Sequence, residues 1–405
     1  MERVPRSEVE GRLRRIQAWM QATSVDAVLI LQNADLFYFS GTVQVGLLCL
    51  PASGEPLYLV QKSLSRARME SPWERLVPIN SLKQAPDLLE GEGLGRLGRV
   101  GLELDVLPAS YYLRFRSLLP KVDLVDASDA IRRVRMIKSA FEVREIREAA
   151  AMLERAFNEI PVWMRPGVSE IELHARLEGF LRLQGHQGLT RMRGFNNEIA
   201  YGTLSSGPSA CYPTLFPGPV GFVGLYPGIP NGGGRRQLAE GDPLMADIVG
   251  GRGGYIADKA RTFVIGEVAR DMREAHEFVL RMMREIEAML RPRVACAEIY
   301  RFSLARVKDS PYAANYMGVG DSQVRFVGHG VGLELDELPV LASSFDMPLE
   351  PGMTIAVEPK IFFPERGGVG IENTYLITDT GFENLTPFKE EIIPATDGPP
   401  PGGSA

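Results

Sequence analysis

Short apolar runs of strand length alternate with helical stretches over the first third of the chain. MERVPRSEVEGRLRRIQAWMQ, charged throughout, reads as an amphipathic opening helix. VDAVLILQ has the unbroken apolar character of a buried strand, LLCLPASGEPLYLV reads as two strands joined around Ser53-Gly54, and RVGLELD is another short strand. Helical segments such as YYLRFRSLL fall between them, so residues 1–137 are expected to form an α/β domain. The period then changes. In SAFEVREIREAAAMLERAFNEI, Phe141, Ile146, Ala150, Leu153 and Phe157 recur at helical spacing behind Ser139 as N-cap, and a second domain over 138–392 is expected to begin there.

The second domain continues with a helix in SEIELHARLEGFLRLQ. A stretch over 194–234 follows, too rich in Gly and Pro for regular elements but suited to lining a pocket. A hairpin, two helices over 271–307, a Gly-His-Gly segment and a second hairpin complete an α+β pattern. The end of the chain, residues 393–405 with the sequence PATDGPPPGGSA after Ile393, reads as a flexible tail.

Composition narrows the function classes. With 45% hydrophobic and 24% charged residues the chain is an ordinary globular protein. A net charge of −6 leaves no basic footprint for nucleic acid or an anionic membrane, so a small molecule or peptide is the expected partner. Three widely spaced cysteines suggest neither a disulfide framework nor a thiolate zinc site, and the absence of an N-terminal apolar core or a membrane-length run favours a reducing cytoplasm.

The two hairpins carry the chemistry. In DPLMADIVGGRGGYIADKARTFVIG, Asp247 and Asp258 are equidistant from a turn centred near residue 252, so a symmetric hairpin sets them opposite or nearly opposite each other. Like charges facing across a strand pair are destabilising unless a cation lies between them, and a metal is the obvious one. In TIAVEPKIFFPERGGVGIENTYLIT, Glu358 and Glu372 are placed in the same way about residue 365. Asp247 and Glu358 lie in the apolar strands MADIV and IAVEP, where a charge needs a partner. His329, in VGHGVGLELDELP, adds one imidazole to four carboxylates, a donor set suited to divalent Mn, Co, Fe or Zn. Four negative charges balance two dications, and two ions about 3.5–4 Å apart perform hydrolytic chemistry.

The motifs ADIVGGRGGYIADKARTF, VGHGVGLELDELP, MTIAVEPKIF and GVGIENTYLIT occur in the order found in the creatinase, prolidase and aminopeptidase P superfamily, which the chain resembles over nearly its whole length. The resemblance implies a creatinase-type N-terminal domain, a pita-bread catalytic domain, a homodimer, and two divalent metal ions held by Asp247, Asp258, His329, Glu358 and Glu372. It also implies Glu358 as proton shuttle and short peptides as substrates, with Xaa-Pro bonds among the candidates. The pattern departs from the family around the substrate. A family histidine upstream of the first aspartate has no counterpart in SSGPSACYPTLF, which offers Cys211 and Tyr212. A second family histidine is replaced by Asp336, a threonine by Ala260, and an arginine before the last glutamate by Gly370. Asp336 and Tyr212 are therefore the expected substrate contacts beside His329, with Asp336 also a candidate in catalysis. Two further readings stay open: hydrolysis of a non-peptide amide or other small molecule, and a binding protein without turnover. Cys211 reads as a packed thiol, His174 as structural, and GGRGGY as a turn rather than a phosphate loop.

Overall fold

The computed structural model describes residues 3–94 and 97–396. The chain divides into two compact units, Met1–Arg135 and Met136–Ala405.

In the first unit the opening helix, Arg6–Thr23, buries Val9, Leu13, Ile16 and Met20 at spacings of three and four. Arg12 is buried on that same face. Its Nη1 donates to the Tyr38 carbonyl at 2.8 Å and its guanidinium lies 4.4 Å from the Tyr38 ring centre, which accounts for a charge the apolar stripe did not announce. Six strands form one sheet: β1 (Ala27–Ile30), β2 (Gly46–Pro51), β3 (Leu57–Val60), β4 (Leu76–Pro78), β5 (Arg99–Leu102) and β6 (Asp123–Asp126), in the order β4-β3-β2-β1-β5-β6. β2 and β3 are the hairpin expected around Ser53-Gly54. All four residues of β1 are buried, as a central strand covered on both faces requires.

The second unit opens with the helix Ala140–Trp163, where the Ser139 hydroxyl accepts the Glu142 N–H and the Glu142 carboxylate returns to the Ser139 N–H. Two sheets follow. One contains β7 (Gly202–Ser206), β8 (Pro243–Arg252), β9 (Tyr255–Val264) and, at the far edge, β17 (Ile393–Pro394), ordered β17-β9-β8-β7. The other contains β10 (Phe326–Gly330), β11 (Glu337–Ala342), β12 (Thr354–Val357), β15 (Asn373–Ile377) and β16 (Phe382–Asn384), ordered β11-β10-β12-β15-β16. Between β12 and β15 the chain forms a separate two-stranded ladder of β13 (Lys360–Phe363) and β14 (Gly367–Gly370).

Three expectations are corrected. The Gly- and Pro-rich stretch contains a regular strand, β7, because Gly202–Ser206 finds a full antiparallel ladder on β8. The tail does not begin at 393: Ile393 and Pro394 pair with Phe263 and Val264, and residues 397–405 lie outside the described residues. The β8–β9 hairpin turns at Gly253-Gly254, both at positive φ, with Arg252 paired to Tyr255. This is one residue later than a symmetric placement of the aspartates requires. A two-residue turn needs φ > 0 at its centre, and the glycine pair supplies it.

Charge burial in this unit makes a pH prediction. His276, on the helix Arg270–Glu287, is buried and its Nε2–H donates to the Glu390 carbonyl at 2.7 Å. Burial is the main cause pulling its pKa down, to about 4. The unfolded chain, with an ordinary histidine, binds this proton below about pH 6.5 while the folded chain refuses it until about pH 4, so stability is lost as pH falls through that window, at up to about 1.4 kcal/mol per pH unit. Denaturant midpoints should show His276→Gln less stable than the parent at pH 7 and the gap narrowing towards pH 4. A gap independent of pH would mean that the imidazole is charged in the fold.

Candidate metal centre

Five ligand-type side chains and one lysine meet where the two sheets join. β8 pairs Asp247 with Ala260 and Val249 with Asp258, so the two aspartates sit diagonally on one face of the hairpin instead of opposite each other. Ala260 then bridges to Glu372: the Glu372 N–H donates to the Ala260 carbonyl at 3.0 Å and the Ala260 N–H returns at 3.3 Å. Glu358 and Glu372 lie in the gap between two ladders of continuous register, with Val357 opposite Asn373 on one side and Lys360 opposite Gly370 on the other. β10 contributes His329, paired with Ala356 of β12.

The glycines flanking His329 serve the backbone. A Cβ at 328 would stand 2.3 Å from the Ala356 carbonyl oxygen and one at 330 2.3 Å from that of Leu338, so only glycine lets β11 and β12 close on both sides of the histidine. That closure fixes the ring. His329 Nδ1 lies 2.9 Å from the Leu335 carbonyl oxygen, which can only accept, so Nδ1 carries the proton and Nε2 faces the carboxylates. Nε2 lies 3.7 Å from Glu358 Oε1, 3.9 Å from Glu372 Oε1 and 4.0 Å from Asp258 Oδ2.

Two donor triads share Glu372: Asp258, His329 and Glu372 form one, and Asp247, Glu358 and Glu372 the other. In the first, Glu372 Oε1 is buried with no hydrogen-bond partner, an orphaned oxygen that a cation would satisfy. In the second, the Lys360 ammonium donates to Glu358 Oε2 at 2.6 Å, Glu372 Oε2 at 2.7 Å and Asp247 Oδ2 at 3.0 Å. Lys360 is fully buried. Sequence reasoning missed it. The available signal was strand alternation, which puts residues 358 and 360 on one face, combined with the missing arginine at 370.

Electrostatics follow from this crowding. Burial, opposed by the Lys360 charge, raises Asp247 to about 6. Burial and then the charges of Glu372 and Asp247 push Asp258 well above the ordinary carboxylate range. Glu358 and Glu372 are raised as well, by burial first, and Lys360 is held well above its usual value because its three carboxylate partners outweigh its desolvation. Three buried carboxylates and the partly exposed Asp247 beside one ammonium are under-neutralised, and the donor set with its orphaned oxygen fits divalent cations.

A second layer holds these groups in place. The buried Arg261 guanidinium donates to the carbonyls of Ala260, Glu372 and Lys389 and to Asn373 Oδ1, stapling β9 to the Glu372 segment, and its pKa, lowered by burial to about 10, leaves it charged at neutral pH. Thr374 Oγ1 accepts the Asp258 N–H and donates to the Asp258 carbonyl.

The cavity over the cluster has a volume of about 30 Å³. Phe216 to Pro219, Thr203, Leu335 and Asp336 line it together with the five ligand-type residues. Asp336 is where the sequence placed it, partly exposed, its Oδ1 4.0 Å from His329 Nδ1. Tyr212 is a correction. Its N–H closes a 3-10 turn onto the Ser209 carbonyl, and its exposed side chain lines a different groove with Arg235 and Arg236. Cys211 is a packed thiol whose Sγ donates to the Phe363 carbonyl at 3.2 Å, and the buried His174 accepts the Gly233 N–H at Nδ1.

Residues 144–379 match Metallopeptidase family M24, and residues 12–137 match the Creatinase/Prolidase N-terminal domain. The first match spans more than half of the chain, which belongs to that metallopeptidase family. It is 27% identical over 401 residues to the "Probable dipeptidase PepE" of Mycobacterium tuberculosis, covering 96% of this chain and 98% of the relative. It is also 27% identical over 386 residues to the Xaa-Pro dipeptidase of Pyrococcus horikoshii, covering 94% and 98%. Its fold is similar to that of the Xaa-Pro dipeptidase from Bacillus anthracis, with a TM-score of 0.81 at 23% identity over 95% of this chain and 99% of the other.

With divalent ions removed by chelator, Asp258→Asn should be at least as stable as the parent, because it replaces a carboxyl whose ionised form burial and the neighbouring Glu372 and Asp247 charges strongly disfavour. A drop in the denaturation midpoint of the chelated variant would show that the cluster is not an electrostatic liability in the empty fold.

Proposed function

We propose that the chain hydrolyses short peptides bearing a free amino terminus, with two divalent ions, of Mn, Co, Zn or Fe, held by Asp247, Asp258, His329, Glu358 and Glu372. The observation that carries the reading is the orphaned Glu372 Oε1 opposite His329 Nε2, inside a buried carboxylate cluster of a metallopeptidase family. The ions supply Lewis acidity, making a water nucleophilic at neutral pH and polarising the scissile carbonyl. The chain's own residues do the rest. Glu358 Oε1, on the cavity side 3.7 Å from His329 Nε2, is placed to accept the proton of the attacking water and pass it to the leaving amine. Asp336 presents a carboxylate at the cavity wall, where it favours a substrate ammonium and disfavours a second carboxylate. Phe216 to Pro219 line the cavity together with Asp336, where they would meet the substrate side chain.

The names of the relatives support Xaa-Pro dipeptides as the first substrates to test. One observation favours the second reading, hydrolysis of a non-peptide amide: His329 is the only histidine lining the cavity among the described residues, so the two substrate-facing histidines of the resembled peptidases have no replacement in kind. The resemblance also supports a homodimer, for which light scattering should give twice the chain mass.

Metal analysis joined to a screen over dipeptides, Xaa-Pro peptides and simple amides tests the function. Turnover of Xaa-Pro peptides is expected, and turnover confined to non-peptide amides would replace this reading with the second. Asp336→Asn should raise KM for substrates with a free amine by about tenfold, the scale of one lost charge-assisted contact, with little effect on N-acylated analogues and unchanged metal content. Equal effects on both substrate types would remove Asp336 from amine recognition.

A further inference from the structure

We infer that Lys360 is a built-in counter-ion standing in one of the two cation positions, so that one divalent ion binds readily at Asp258, His329 and Glu372 while a second enters only by displacing the lysine. This rests on the ligand reading above and concerns what that reading leaves open: how the two positions differ.

An ammonium has three N–H donors, and all three of Lys360 end on carboxylates of the Asp247, Glu358 and Glu372 triad at 2.6–3.0 Å. With the side chain fully buried, these carboxylates are its solvation shell. A divalent ion in that triad needs the same oxygen lone pairs at about 2.0–2.2 Å, so ion and ammonium compete for them. The other triad is different in kind. Its Nε2 and carboxylate oxygens are 3.9–4.0 Å apart, too far to bond and close to the separation of two donors across one ion with bonds of about 2.0–2.2 Å. It also contains a buried ligand oxygen without a hydrogen-bond partner, Glu372 Oε1.

The lysine's path is built into the fold. Lys360 opens β13 directly opposite Gly370, and a Cβ at 370 would stand 2.7 Å from Lys360 Cγ. Glycine at 370 is required by the facing backbone, with the Pro359 carbonyl oxygen at 2.7 Å and Lys360 Cα at 2.8 Å from such a Cβ, and it also leaves room for the stem that delivers the ammonium. The alternative is that Lys360 only trims the charge beside two ions of similar affinity, and stoichiometry separates the two cases.

Chelator-stripped protein would be titrated with Mn²⁺ and Co²⁺ by calorimetry, with metal counted by mass spectrometry and the Co²⁺ absorption bands recorded. The parent should take up one ion tightly and a second at least about 100-fold more weakly, the scale of forcing a dication against a buried ammonium. Lys360→Met and Lys360→Gly should take up two ions within about tenfold of each other, and melting curves should show them more destabilised by chelator than the parent. If Lys360→Met fails to fold without metal, Lys360→Gly purified in Mn²⁺ gives the stoichiometry as isolated. Two equally tight ions in the parent, or a single ion in both variants, would overturn the inference and leave the ligand assignment standing. Failure of parent and variants alike to take up any ion would overturn the ligand assignment instead.

Discussion

Mutual repulsion among four carboxylates buried at the junction of two sheets is the constraint that the catalytic unit is organised around. Each carboxylate in such a place costs several kcal/mol of desolvation unless it meets a cation or donors that replace water. The fold meets the cost unevenly. Lys360 neutralises one side of the cluster from within, and on the other the second oxygen of the same Glu372 is buried with no hydrogen-bond partner among the described residues. That oxygen, with His329 and Asp258 beside it, makes a position that a divalent ion could fill with little rearrangement.

The supporting groups make sense as devices that keep this frustrated cluster from relaxing. Arg261 ties the Asp258 strand to the segment carrying Glu372, and Thr374 exchanges two hydrogen bonds with the backbone of Asp258. His329 is locked at Nδ1 by a backbone carbonyl, so its ring cannot turn away from the carboxylates. None of these bonds goes to a carboxylate oxygen aimed at the empty side, so the second layer positions the ligands without quenching them.

Much of this was legible in the sequence because the pattern repeats: two hairpins, each with paired acids in apolar strands, around a histidine between glycines. Alternation at period two placed Asp247 and Asp258 on a common face, and that survives a one-residue error in the turn because both strands shift together. What was not legible depends on tertiary contact. Whether Asp258 lies opposite Asp247 or diagonal to it was decided by Gly253 and Gly254 taking the turn. Tyr212 looked like a substrate contact because of its neighbours in sequence, but a 3-10 turn swings it to another groove. β7 was hidden because Gly202–Ser206 is a strand only through its pairing with β8. Arg12 and Arg261 are charges whose burial is invisible until the carbonyls they bond are in place.

Lys360 shows how a departure from a family pattern is understood only in three dimensions. In the sequence, glycine where prolidase-like chains carry an arginine reads as the loss of a cation beside the metal ligands. In the fold, residue 370 faces residue 360 across a strand pair, and the space above Gly370 is filled by the lysine's own stem. Any side chain at 370 is excluded by this strand pairing, since its Cβ would meet the Pro359 carbonyl oxygen and Lys360 Cα as well as Lys360 Cγ. In this chain the positive charge sits on the facing strand. From there it reaches Asp247, Glu358 and Glu372 at once, in the middle of the ligand set.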